Sequence, residues 1–264
     1  MREGVKVDLL IPTYRGMNPM STPLIQSMVT YSHEQGVDIR VPPLHGSALV
    51  HRSRNKAVMT VRPDTDFILF CDDDMGPRKE ALCQLLAHDL PVVSAFMTTR
   101  EELPVKIAAH EYSAEHDVFK QLEWLRPCKV VKGSLGMGTG FLLMQKQVLD
   151  RALDWFLEAR DWLADNRRSF DRMHVRADVR ERERLNLAAL RRVHWDHEKL
   201  HRVFHFAILE NQTEAGEDLS FSRNLLRMGI ETAIDTNVIV SHIGWFPYSP
   251  ANLYDLNAEE IVAA

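Results

Sequence analysis

The stretch FILFCDDDMG, residues 67 to 76, decides how this chain is read. An apolar run, Asp66 to Cys71, has the length and composition of a buried strand and ends at three consecutive carboxylates, Asp72, Asp73 and Asp74. In an extended chain alternate side chains share a face, so Asp72 and Asp74 are expected on one side and Asp73 on the other. Two like charges about 5 Å apart repel by ~1 kcal/mol in water and ~3 kcal/mol at an effective dielectric of about 20, and burial adds desolvation. A divalent cation reverses the sign of that interaction. Oxygen ligands from a short carboxylate cluster suit Mg2+ or Mn2+, which keep coordination positions for substrate phosphates. The plainer alternative is an acidic turn whose aspartates are solvated or cap the next helix.

Outward from this stretch, strand-like and helix-like segments alternate. Val5 to Ile11 is an apolar run stopped by Pro12, and Leu24 to Glu34 suits a helix closed by Gly36. Val37 to Val41 reads as a second strand, and Leu49 to Val61 as a helix with Val50, Ala57, Val58 and Val61 on its apolar face. Lys79 to Ala87 is helical, Val92 to Met97 a further strand, and Phe141 to Met144 another after the glycine-rich GSLGMGTGF of residues 133 to 141. Later come a helix over Leu219 to Arg227 and a strand over Thr232 to Val240. Strands separated by helices predict an α/β fold with a mostly parallel central sheet, in one domain over residues 1 to 264. Such sheets place ligands at the carboxyl ends of their strands, where Pro12-Thr13-Tyr14 and the aspartates fall.

The middle of the chain differs. Leu149 to Arg202 is dense in Arg, Asp and Glu, holds no glycine or proline, and reads as a helical insertion. Trp155, Phe156 and Trp162 offer it a surface for packing on the sheet or for homo-oligomerisation.

Composition removes several function classes. With 264 residues and 45% hydrophobic content, a sizeable core is expected. A formal charge of -5 supplies no basic excess for a nucleic acid backbone. No apolar run spans a bilayer and MREGVKVDLL lacks the form of a signal peptide, so a cytoplasmic location is expected. Cys71, Cys83 and Cys128 are widely spaced and odd in number, which suggests reduced thiols.

Downstream, Glu217 and Asp218 precede a helix, where negative charge is favourable, and His242 follows an apolar run. Helix capping and ordinary packing explain each singly. In order, however, LLIPTYRG, HRSRNKAV, ILFCDDDM, GMGTGFLLMQKQVL, GEDLSFSRNLLRMG and SHIG resemble a glycosyltransferase of the GT-A fold, close to the family 2 type. The matching elements extend from Val7 to Gly244, with the insertion and the tail uncovered.

That resemblance implies a set of roles. Pro12, Thr13 and Tyr14 would receive the nucleotide of a nucleotide-diphosphate sugar, with Arg54, beside Asn55, meeting base or phosphate. Asp72 would lie near the ribose and the metal, Asp73 beside it among the donor contacts, and Asp74 and His242 on the Mn2+ or Mg2+ ion. Gly140 and its glycine-rich neighbours would let backbone approach the sugar. Asp218 matches the catalytic base, with Glu217 as second candidate, acting on an unidentified acceptor hydroxyl if the enzyme inverts; GT-A enzymes of the retaining outcome exist as well, and no residue here decides between the two.

Two other readings stand beside this one. His197-Glu198-Lys199-Leu200-His201 matches the helical zinc signature H-E-x-x-H, which suits a zinc-dependent hydrolase. A non-catalytic module that binds sugar nucleotides is the third.

Overall fold

The structure is a computed structural model that describes residues 4–14, 16–47, 49–99, 106–123, 129–165, 203–204, 206–209, 214–244 and 247–248. Seven strands form the main sheet: β1 (Lys6–Leu10), β2 (Asp38–Arg40), β3 (Phe67–Cys71), β4 (Val92–Phe96), β5 (Val130–Gly133), β6 (Phe141–Gln145) and β7 (Thr232–Ile239). Their order across the sheet is β5-β7-β4-β6-β3-β1-β2. Helices α1 (Ser21–Glu34), α2 (Val50–Val58), α3 (Ala81–Leu86), α4 (Lys146–Asp165) and α5 (Glu217–Arg227) flank it.

Alternation along β3 shows why the sheet is covered on both faces. Phe67, Leu69 and Cys71 enter one apolar cluster with Ile25 and Met28 of α1 and Leu82 and Leu85 of α3. Ile68 and Phe70 enter another with Ala57 of α2, Val148 and Leu149 of α4, and Phe221 and Leu225 of α5. A strand buried on both faces has no polar position to spare until it leaves the sheet, which is where its carboxylates begin.

The sheet is mixed, with most of its strands sharing one direction. β1 pairs parallel with β2 and β3, and β7 with β4, but β6 lies antiparallel between β3 and β4, and β5 antiparallel to β7 at the edge. Five strands therefore run one way and two the other. The reversal matters for position: the amino end of β6, with Gly140 just before it, reaches the edge where β1, β3, β4 and β7 end.

Several elements differ from expectation. α2 stops at Val58 and not Val61, because residues 59 and 60 turn towards β3. The glycine-rich run holds strand structure, with Val130–Gly133 in the main sheet and Leu135–Met137 paired to Ala109–Ser113. That strand in turn forms a hairpin with Val118–Gln121. Of the expected insertion, α4 starts at Lys146 and Trp155 packs against the core. Residues 166–202, with the zinc-like motif from His197 to His201, lie outside the described residues, as do the side chains of Phe156 and Trp162. Among the described residues no helix is long and apolar enough to cross a membrane.

Candidate functional site

The three aspartates form a turn and not an extended tip. Met75 N–H donates to the Asp72 carbonyl at 3.1 Å, closing a four-residue turn, so alternate-face placement does not apply. Each aspartate is tied to a different part of the chain. Asp72 N–H donates to the Gly140 carbonyl at 2.8 Å, the Asp73 carbonyl accepts from Asn18 N–H at 3.2 Å, and the Asp74 carbonyl accepts from Ile243 N–H at 2.7 Å. The strand Ser241–Ile243 runs antiparallel to Met75–Gly76 with His242 opposite Met75. Residues separated by about 170 positions in sequence are thus ladder neighbours.

A cleft of about 360 Å3 opens beside this turn, lined by Pro12, Thr13, Tyr14, Ser47 and Val50 on one side and by Asp72, Asp73 and Asp74 on the other. Pro12–Thr13 pairs with His45–Gly46, and Thr13 is pinned further by Gly16 N–H, which donates to its Oγ1 at 2.7 Å. Tyr14 is 57% exposed at the lip, an aromatic face turned to solvent. A larger cavity of about 1000 Å3, lined by Gly4, Thr65, Asp66, Asp89, Lys146 and Asp150 among others, sits at the opposite edge of the sheet. It lies at the amino ends of β1 and β3, away from every carboxylate of the turn. Size alone does not make it the reactive site.

Behind the cleft, Arg54 of α2 organises the carboxylates. It is only 2% exposed, and its two terminal nitrogens divide between two groups. One donates to Glu217 Oε1 at 2.7 Å and Asp218 Oδ1 at 2.8 Å; the other donates to Asp72 Oδ1 at 3.0 Å and Oδ2 at 2.9 Å. Burial opposes the charge of Arg54, but Asp218, Asp72 and Glu217 outweigh it and hold the guanidinium protonated more firmly than usual. The ring of Phe204 lies 5.9 Å from the guanidinium carbon. Asn55, next in sequence, clamps the backbone of Phe204 through its amide, donating at 2.8 Å and accepting at 3.1 Å. This places the chain returning from the middle segment against α2.

Glu217 and Asp218 occupy the first turn of α5, where exposed N–H groups favour anions. Burial pushes the Glu217 carboxyl up, the Asp218 carboxylate pushes it further, and Arg54 only partly offsets both. Asp218 is the more open of the two, with one third of its side chain exposed against 13% for Glu217. Thr139 Oγ1 donates to Asp218 Oδ1. Gly140 sits so close to the turn that an added Cβ would come within 2.3 Å of the Met75 methyl and 3.3 Å of Asp72 Oδ2. A larger residue there would have to push the Met75 methyl aside and would crowd the Asp72 carboxylate. Buried Cys71, below the aspartates, has its thiol pushed well up by burial and by Asp72 and Asp73, so it stays protonated.

Whether a divalent cation suits this place follows from the donor set. Five carboxylates converge on the edge, and Arg54 joins three of them, so an anionic ligand entering the cleft meets excess negative charge. Oxygen donors of this kind fit Mg2+ or Mn2+. Among the described residues, no group of three or more His, Cys, Asp or Glu side chains is gathered as a finished metal cage. The cleft thus offers the right donors, with Asp72 engaged by Arg54 rather than pointed at a common centre.

The edge therefore brings together Pro12, Thr13, Tyr14, Asp72, Asp73, Asp74 and Gly140, ties the backbone of His242 to them, and links Glu217 and Asp218 through Arg54. Arg54 faces the carboxylates of Asp72, Glu217 and Asp218. Thr139 and Phe204 are participants that sequence reasoning passed over. A threonine between two glycines was the available signal for the first.

No protein family model and no curated protein matches the chain. Among solved structures it is similar to the crystal structure of A197 from STIV, at 14% identity over 94% of this chain and 91% of that one, with a TM-score of 0.48. A 4-diphosphocytidyl-2C-methyl-D-erythritol synthase from Anaerococcus prevotii follows at 10% identity, covering 59% and 78% with a TM-score of 0.34. A glycosyltransferase involved in the glycosylation of the major capsid of PBCV-1 gives 11% identity, 55% and 62% coverage, and a TM-score of 0.30. Likenesses this slight decide neither fold nor activity, which rest on the chain's own geometry.

Proposed function

We propose that this protein is a glycosyltransferase of the GT-A type that moves a sugar from a nucleotide-diphosphate donor to an acceptor hydroxyl. The observation that carries the reading is the Arg54 fork, which joins the aspartate turn at the donor cleft to the carboxylate pair at the start of α5. Donor-side and acceptor-side chemistry need such a link, because the sugar's reacting carbon must lie between leaving group and base.

In this reading the nucleotide lies along Pro12, Thr13 and Tyr14, with its base against the exposed Tyr14 ring. Asp72, Asp74 and His242 would hold a Mg2+ or Mn2+ ion, which supplies neutralisation of the departing diphosphate. Asp218 accepts the acceptor's proton as its oxygen bonds to the anomeric carbon, while the electron pair of the breaking carbon–oxygen bond leaves with the diphosphate. Attack from the face opposite the leaving group inverts the anomeric centre. Glu217, only 13% exposed against one third for Asp218, is closed to an acceptor and serves to hold Arg54.

A panel of nucleotide sugars, incubated with Mn2+ or Mg2+ and followed by release of nucleoside diphosphate, tests the reading. One donor turned over slowly without acceptor, and not by Asp218→Asn, is the expected result. No release from any donor, or equal turnover by the variant, would end it.

A further inference from the structure

We propose that Thr139 is a positioning residue that fixes the Asp218 carboxylate for proton transfer, an inference that rests on Asp218 being the base. Thr139 is fully buried between Gly138 and Gly140, and its hydroxyl donates to Asp218 Oδ1, the oxygen that also accepts from Arg54. No hydrogen bond among the described residues reaches Oδ2. Two donors on one oxygen leave the other as the acceptor presented to a substrate hydroxyl.

The same short segment grips the Asp218 backbone. Met137 N–H donates to Ser222 Oγ at 3.1 Å, and that hydroxyl donates to the Asp218 carbonyl at 3.0 Å. One residue further, the Gly140 carbonyl accepts from Asp72 N–H at 2.8 Å. Residues 137 to 140 therefore hold the base by both its backbone and its side chain and hold the donor-side turn as well. A Cβ at Gly140 would press on the Met75 methyl and on Asp72 Oδ2, whereas one at Gly138 would meet Ala108 only at ordinary contact distance, 3.4 Å. A side chain held only by Arg54 could rotate about its second torsion; the Thr139 hydroxyl removes that freedom from a direction the guanidinium does not occupy.

The test compares wild type with Thr139→Val, which keeps the shape and removes the donor, and Thr139→Ser, which keeps the donor. On the donor identified by the panel, Thr139→Val is expected to lower kcat about 10- to 100-fold with donor KM and melting temperature little changed. Thr139→Ser should recover most of the rate, and a crystal structure of Thr139→Val should show the Asp218 carboxylate turned. Unchanged kcat in Thr139→Val, a Ser variant no better than Val, or an unmoved carboxylate would overturn the inference while leaving the transferase reading intact. A wild type that releases nucleoside diphosphate from no donor removes the reading itself, and this inference with it.

Discussion

Two charge clusters in this protein, each gathered around one buried ion, are built on opposite plans. In the sheet, Asp8 is fully buried on β1 and accepts from Arg40 at 3.1 and 2.6 Å and from the Arg62 side chain at 2.8 Å, with Asp38 completing the group on Arg62 at 3.1 Å. Two carboxylates face two guanidiniums, and the sum is neutral. At the carboxyl edge, one guanidinium, Arg54, faces Asp72, Glu217 and Asp218. A cluster kept for stability balances its charge, because an uncompensated buried ion is costly. One that carries an excess of negative charge beside a cleft is prepared for a proton or a cation.

The largest effect expected from that difference is catalytic. Asp218→Asn should lower turnover by about 10^2- to 10^4-fold with little loss of stability, checked by nucleoside diphosphate release and a thermal melt. Next, Arg54→Met leaves three carboxylates facing each other and should cost ~3–5 kcal/mol in a urea titration, a loss that acidification relieves. Asp8→Asn should cost less, about 2 to 3 kcal/mol, since the Arg40 side chain is already 37% exposed and its charge can turn to water. Acid should not relieve that variant.

The pH dependence of the two clusters should have opposite sign. Burial alone would raise the Asp8 carboxyl, but Arg40 and Arg62 hold it below its usual 3.8, so its contribution is present above that value and fades as pH falls further. Glu217 is pushed above its usual 4.5 by burial and by Asp218, so the folded state binds that proton more tightly, and stability falls as pH rises above 4.5. Glu217→Gln should therefore gain stability relative to wild type between pH 4 and pH 7, measured by urea midpoints. The opposite trend would show that Arg54 dominates Glu217. The smallest effect is expected at the lip: Tyr14→Ala should weaken nucleoside diphosphate binding by about 1 kcal/mol, roughly fivefold, and leave stability unchanged.

What the sequence made legible follows from range. β3 is an uninterrupted apolar run and β4 is broken only by Ser94, so their strand character is written in five consecutive residues each. The direction of β6 is not, because an apolar run has no sign; only its pairing with β3 and β4 reveals it. The hairpin of Ala109–Ser113 and Val118–Gln121 was hidden by polar, half-buried positions, and its turn holds Asp117 at a φ of 48°. In the site, the acidic residues stand out by motif. The Arg54 fork does not, since its partners lie 18, 163 and 164 positions away. Local reading also placed the aspartates on an extended chain, and a single hydrogen bond from Met75 makes them a turn.

In the proposed function the aspartate turn receives a diphosphate through a divalent cation. Calorimetric titration of nucleoside diphosphates into wild type and Asp74→Asn, each with Mn2+ or Mg2+ and each with chelator, tests it most directly. Binding by wild type should tighten at least about tenfold with cation, ~1.4 kcal/mol, and that gain should vanish in Asp74→Asn. Equal affinity in chelator, or an undiminished gain in the variant, would contradict the account.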